Sequence, residues 1–156
     1  MATRKKYEQL PDLENLQKQW TKLSGLHTRQ EWSAAIVRAA TAAEISANFA
    51  IRSEFSQKSQ LSTEFINNLL RWANGLTGKL DKILIPLVAD DKKKQKEIKS
   101  LVKLAKNVNH QRNSIAHQGE FCNEKEAQEV IKNAEEFING LIKLYKSDFK
   151  LELKKR

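Results

Sequence analysis

Apolar residues recur along this chain at steps of three and four, the spacing that gathers them on one face of an α-helix. Leu13, Leu16, Trp20 and Leu23 mark the first such face, with Pro11 suited to an opening turn and Ser24-Gly25 to an end. A restart follows, because Thr28 and Glu31 have capping-box spacing, and Trp32, Ala35, Ile36, Ala39, Ala40, Ala43, Ala47 and Ile51 form a broad face over 29–54. The Ala-rich middle of that face permits a close helix crossing. Leu61-Ser62-Thr63 opens the next helix, with Phe65, Ile66, Leu69, Leu70 and Ala73 predicted inward before Gly75 and Gly78 loosen the pattern. Residues 80–87 carry a short apolar face that Pro86 ends or kinks. Asp90-Asp91 can cap a helix whose face is Ile98, Leu101, Val102, Ala105 and Val108, running towards Arg112. Asn123 and Glu126 repeat the capping-box spacing ahead of Ala127, Val130, Ile131, Ala134, Ile138, Leu141, Ile142 and Tyr145. The pattern predicts an all-α fold, an antiparallel bundle of about five helices. There is no internal repeat, and the tail from Leu151 to Arg156 is expected to fray.

Length and composition narrow this picture. A chain of 156 residues fits one domain, here 1–156, with its core over about 10–148 and basic termini. Only 2 Pro and 5 Gly leave little turn punctuation, which agrees with long helices. Lys and Arg total 28 against 19 acidic residues, a formal charge of +9, which favours a polyanionic partner such as RNA, DNA or an anionic surface. A solvated basic surface is the competing explanation. The single cysteine, Cys122, cannot form an intramolecular disulfide, so a secreted disulfide framework is excluded. The basic start, Met1 to Lys6, leads into Tyr7-Glu8-Gln9 without an apolar stretch, and no run is expected to approach the length of a membrane span. The expected setting is cytoplasmic, with no membrane association.

The chemistry-bearing residues concentrate in Arg112-Asn113-Ser114-Ile115-Ala116-His117. A permanent cation and a titratable imidazole lie five positions apart there. In metal-free RNA cleavage through the 2′-hydroxyl, an imidazole with a pKa near 6.5 can take that proton or donate one to the leaving 5′-oxygen. The planar guanidinium of Arg112 can hold phosphate oxygens as charge builds up in the transition state, and Asn113 can position phosphate or imidazole. On an uninterrupted helix, however, five residues advance about 500°, leaving Arg112 and His117 roughly 140° apart. For both to serve one site the helix must bend or end between them, and Gly119 makes a break within 113–119 reasonable. If the helix continues, Asn113 and His117 share a face instead. One imidazole is short of an acid and a base, and a two-fold dimer would supply the second. Lys103, Lys106 and His110, on the approach to the motif, are candidate substrate contacts, although such lysine runs also occur as plain solvated faces. A lone Arg and His near a helix end can equally cap carbonyls. No C-x-x-C, H-x-x-x-H, glycine-rich phosphate loop or G-x-S-x-G is present, so no metal ligands and no cofactor are expected.

The segment resembles the HEPN family of helical domains, whose signature is Arg, four to six residues, then His, often with Asn straight after the Arg. Arg112, Asn113 and His117 match it, and the long Ala-rich helix carrying Glu44 and the amphipathic helix after the motif are similar to the family's bundle. The resemblance implies a metal-independent endoribonuclease with catalytic Arg112, Asn113 and His117, acting as a homodimer in a toxin–antitoxin or antiviral role. The alternative it implies is a non-catalytic module that binds a nucleotide, RNA or a partner protein such as an antitoxin. Glu44 is a candidate supporting residue that could pair with Arg112, or simply a helix-surface carboxylate. Gly119 stands where the subgroup paired with nucleotidyltransferase antitoxins often carries Tyr, a departure from that pattern.

Overall fold

The computed structural model describes residues 2–28, 31–73, 75–118 and 122–151, with the backbone alone at 2–11, 28 and 116–118. Six helices account for the described chain and no strand occurs in it: α1 Ala2–Thr28, α2 Trp32–Lys58, α3 Thr63–Trp72, α4 over 76–87, α5 Lys92–Gln118 and α6 Glu124–Lys143. The all-α bundle expected from periodicity is therefore present.

Helix directions follow from which residues touch. Gln19 of α1 accepts from Arg38 of α2 at 2.6 Å while Asp12 accepts from Arg52 at 2.6 Å, so the two helices run antiparallel. Asn107 of α5 meets Asn133 of α6, and Leu101 lies under Gly140, so this pair is antiparallel as well. A Cβ at Gly140 would sit 2.8 Å from the Leu101 side chain, and the missing side chain is what lets α5 and α6 approach. Ser33 touches Cys122 and Glu54 touches Tyr145, which aligns α2 with α6. Helix α2 is thus the central member, packed against α1, α5 and α6. Ala35, Ala39, Ala40, Ala42, Ala43, Ala47 and Ala50 are all buried on it, since small side chains let three neighbours crowd one helix.

Local signals set several ends where the pattern places them. Ser62 accepts from the Phe65 amide to open α3, Asp91 accepts from the Lys94 amide to open α5, and Asn123 and Glu126 form both bonds of a capping box at α6. Other ends differ. Helix α1 spans Ala2–Thr28, so Pro11 lies inside it and Ser24-Gly25 does not end it, and Glu31 stands at the N-cap of α2, where its side chain makes no capping hydrogen bond. The Ser24 hydroxyl donates to the Trp20 carbonyl at 3.3 Å, so it folds back on its own helix instead of ending it. In α4 the turns Leu76–Gly78 and Ile85–Leu87 flank a π-helical stretch, Lys79–Leu84, and the wider turns come just before Pro86, which cannot donate to the carbonyl four residues back.

Phe65, expected inward, is 52% exposed, and Trp72 is 86% exposed, because α3 is short and buries only Ile66 and Leu70. Leu151, expected in a frayed tail, is 4% exposed, and its amide donates to Asn139. Contrary to expectation, α2 is long and apolar enough to cross a membrane by length and composition; it is the buried central helix of the bundle.

Candidate nucleic-acid interface

Helix α5 is α-helical without interruption from Lys92 to Gln118. The break that a shared site for Arg112 and His117 would require is absent between them, and Gly119 and Glu120 lie outside the described residues. Apolar packing explains the continuity: Ile98, Val102, Ala105 and Val108 are buried, and Ile115 packs against the same core one turn short of the end.

An unbroken helix at about 100° per residue fixes which positions share a face. Lys99, Lys103, Lys106, His110, Asn113 and position 117 fall within about 40° of one line on α5. Lys99, Lys103, Lys106 and His110 are exposed and Asn113 is half-buried, so that line faces water. It extends over about 27 Å at 1.5 Å per residue. Along it Lys106 lies 3.8 Å from Asp81 of α4, a loose pair in which Lys106 remains 56% exposed. Arg112 is exposed too, but it is turned about 140° from position 117. The side chain of His117 lies outside the described residues.

Polar residues beside the line bind neighbouring helices. Asn109 donates to Thr77 at 3.3 Å, and Asn107 accepts from Asn133 at 2.9 Å. These bonds orient α5 so that Lys99, Lys103 and Lys106 point outward. The motif end of α5 lies at the same end of the bundle as Ser33, whose hydroxyl contacts Cys122, and as the edge-on pair of His27 and Trp32.

Glu44 does not pair with Arg112. Its Oε1 is 3.0 Å from Nζ of Lys79, whose side chain is only 7% exposed. The antiparallel register of α2 and α5 sets Glu44 level with Lys106, about 9 Å along the axis from Arg112. Glu44 instead joins a polar row on α2 with Asn48 and Arg52, spaced four apart. Arg52 donates through one nitrogen to both oxygens of Asp12, at 2.6 and 2.7 Å, and through two others to Asn67 Oδ1. Burial pushes the Asp12 carboxyl up from its ordinary value, and Arg52 offsets only part of this.

A second polar centre went unnoticed in the sequence. Glu54 is fully buried, with Tyr145 donating to it at 2.6 Å, Lys94 at 3.0 Å and the Lys58 ammonium 3.0 Å from its other oxygen. Lys58 also donates to Asp90 at 2.6 Å and to the Leu87 carbonyl, and Lys94 sits 5.0 Å from the centre of the Tyr145 ring. Burial opposes ionisation of Glu54, but the Tyr145 hydroxyl and the two lysines outweigh it and hold the carboxyl below its ordinary value. Burial, together with this carboxylate, pushes the Tyr145 phenol up. The cluster ties α2 to the start of α5 and to the chain after α6. Its only sequence signal was the Glu54–Lys58 spacing, which is common on helix surfaces.

No family model matches the chain, and no curated protein and no solved structure is found to match it.

Proposed function

We propose that this chain is a HEPN-like, metal-independent endoribonuclease that works as a homodimer, in a toxin or antiviral defence role. The reading is carried by the exposed line on α5, where Lys99, Lys103, Lys106 and His110 lead along one face to Asn113 and position 117. A strand of RNA following that line would meet cations along its phosphates and then a titratable group beside the scissile bond. The 2′-hydroxyl attacks the adjacent phosphorus, the bond to the 5′-oxygen breaks, and the products end in a 2′,3′-cyclic phosphate and a 5′-hydroxyl. His117 moves the protons, Asn113 orients the phosphate, and Arg112 stabilises the developing charge.

Because α5 is unbroken, Arg112 and His117 of one copy diverge, and the pair converges only when a second copy presents its own motif across a two-fold axis. The test is cleavage of single-stranded RNA in the presence of chelator by wild type and by His117→Ala. Equal activity in the two would sink the mechanism.

The same divergence favours a second reading, a non-catalytic HEPN-like module that binds RNA, a nucleotide or a partner protein such as an antitoxin. That module would bind saturably without turnover and keep its biological function in His117→Ala.

A further inference from the structure

The large apolar side chains left exposed among the described residues are Leu61, Phe65 and Trp72, and all three belong to α3 or to the residues leading into it. On the helix, Phe65, Asn68 and Trp72 fall within about 60° of one line, roughly opposite Ile66 and Leu70, which bury α3 against the core. Half-buried Leu69 borders that line. An apolar stripe centred on aromatic side chains and rimmed by polar ones marks an interaction surface. We propose that this outer face of α3 docks a second copy of the same chain, paired antiparallel about a two-fold axis.

Charge identifies the occupant. Glu64 and Arg71 are exposed, stand seven residues apart on one edge of the line, and make no ion pair with any described residue. The face thus carries one charge of each sign, at a spacing that an antiparallel two-fold contact brings together, Glu64 of each copy on Arg71 of the other. In that register Phe65 of one copy lies beside Asn68 of the other, and Trp72 reaches towards the other's Leu61. A parallel pairing would instead set Glu64 against Glu64 and Arg71 against Arg71. The chain as a whole carries +9, whereas 61–73 holds one acid and one base, so two copies meet where their mutual repulsion is least. The same balance leaves this face without net attraction for an anionic membrane surface.

This contact differs from one that would bring two motifs together. Helix α3 runs back along the second half of α2, since Asn67 meets Arg52 while Arg71 shares a polar cleft with Glu44 and Asn48. The motif end of α5 lies beside the start of α2. A two-fold axis through the middle of α3 therefore sends the two motifs to opposite ends of the pair, and the α3 contact does not rest on the RNA reading. Arg52 is held from two sides, by Asp12 of α1 and Asn67 of α3, so α3 is fixed in place before a second copy arrives.

A seam this short belongs to the small, transient class of interfaces, with a Kd of about 10–100 μM expected. Sedimentation velocity of the full chain over about 10–500 μM reads it directly. The double variant Phe65→Ser, Trp72→Ser is expected to abolish this association and keep the melting temperature, because both side chains are exposed. It drops to a monomer, or to a dimer if the motif ends also pair and the wild type is larger than a dimer. Glu64→Arg or Arg71→Glu alone should weaken association by about tenfold at low salt, and the two reversals together should restore it. Three results would overturn the assignment: a wild type that stays monomeric throughout, whether or not it sediments with anionic vesicles; association that survives the double serine variant; or a double charge reversal no better than either single one.

Discussion

The two ends of α5 use lysine in opposite ways. At its start Lys94 is drawn inward to Glu54, where the Tyr145 hydroxyl and Lys58 converge on the same buried carboxylate. Further along, Lys99 and Lys103 are exposed on the outward line that leads to Asn113 and position 117. The difference lies in what faces each side of the helix. A cation opposite a buried carboxylate becomes part of the fold, whereas one opposite water stays available to a polyanion. Net charge alone cannot separate these roles, because Lys58, Lys79 and Lys94 contribute to the +9 as much as Lys99 and Lys103 do.

The comparison breaks most sharply at the motif. His117→Ala is expected to lower the rate of RNA cleavage by about 100-fold or more while leaving the unfolding midpoint unchanged. A cleavage rate that survives would separate the outward line from catalysis. Next in size, Glu54→Ala should cost about 3 kcal/mol in urea unfolding, since it leaves Lys94 and the Tyr145 hydroxyl without their partner, with no direct effect on RNA binding. An unchanged midpoint would mean that the inner cluster is not a support. Tyr145→Phe removes one bond to a charged acceptor and should cost about 1.5 kcal/mol by the same measurement.

The inner cluster should also set part of the acid limit. The folded pKa of Glu54 is depressed, so its contribution is present above the unfolded value near 4.5 and is lost as pH falls through the folded value. Glu54→Gln should therefore flatten the fall in stability below that pH, read from urea midpoints at stepped pH. Asp12 works in the opposite direction: its folded pKa is raised, so its term favours the fold below its ordinary value of 3.8 and fades as pH rises. The smallest effect belongs to single lysines on the line. Lys99→Ala or Lys103→Ala should each reduce the slope of log affinity against log salt by roughly 0.7 for single-stranded RNA, without a change in stability. A slope that does not move would place the phosphate path elsewhere.

Legibility followed the range of the interactions. Capping at Ser62, Asp91 and Asn123 was readable because donor and acceptor lie three residues apart. Helix α1 was harder: Pro11 and Ser24-Gly25 look like ends, yet packing of Leu16, Trp20 and Leu23 against α2 carries the helix past both to Thr28. Phe65 fits the period of an inward face, but of that face α3 buries only Ile66 and Leu70. Glu44 looked like a partner for Arg112 by family resemblance, and the antiparallel register gives it Lys79 instead.

By itself the sequence determined that the chain is helical, where most helices begin, and which residues of α5 share a face, because 3.6-residue periodicity and caps depend on neighbours within one or two turns. Only the tertiary structure decided that α5 stays unbroken through the motif, that Lys94 turns inward while Lys99 and Lys103 do not, and that Glu44, Asn48 and Arg71 line one cleft. Those outcomes depend on which helix lies opposite which face, a choice made by packing between segments far apart in the chain.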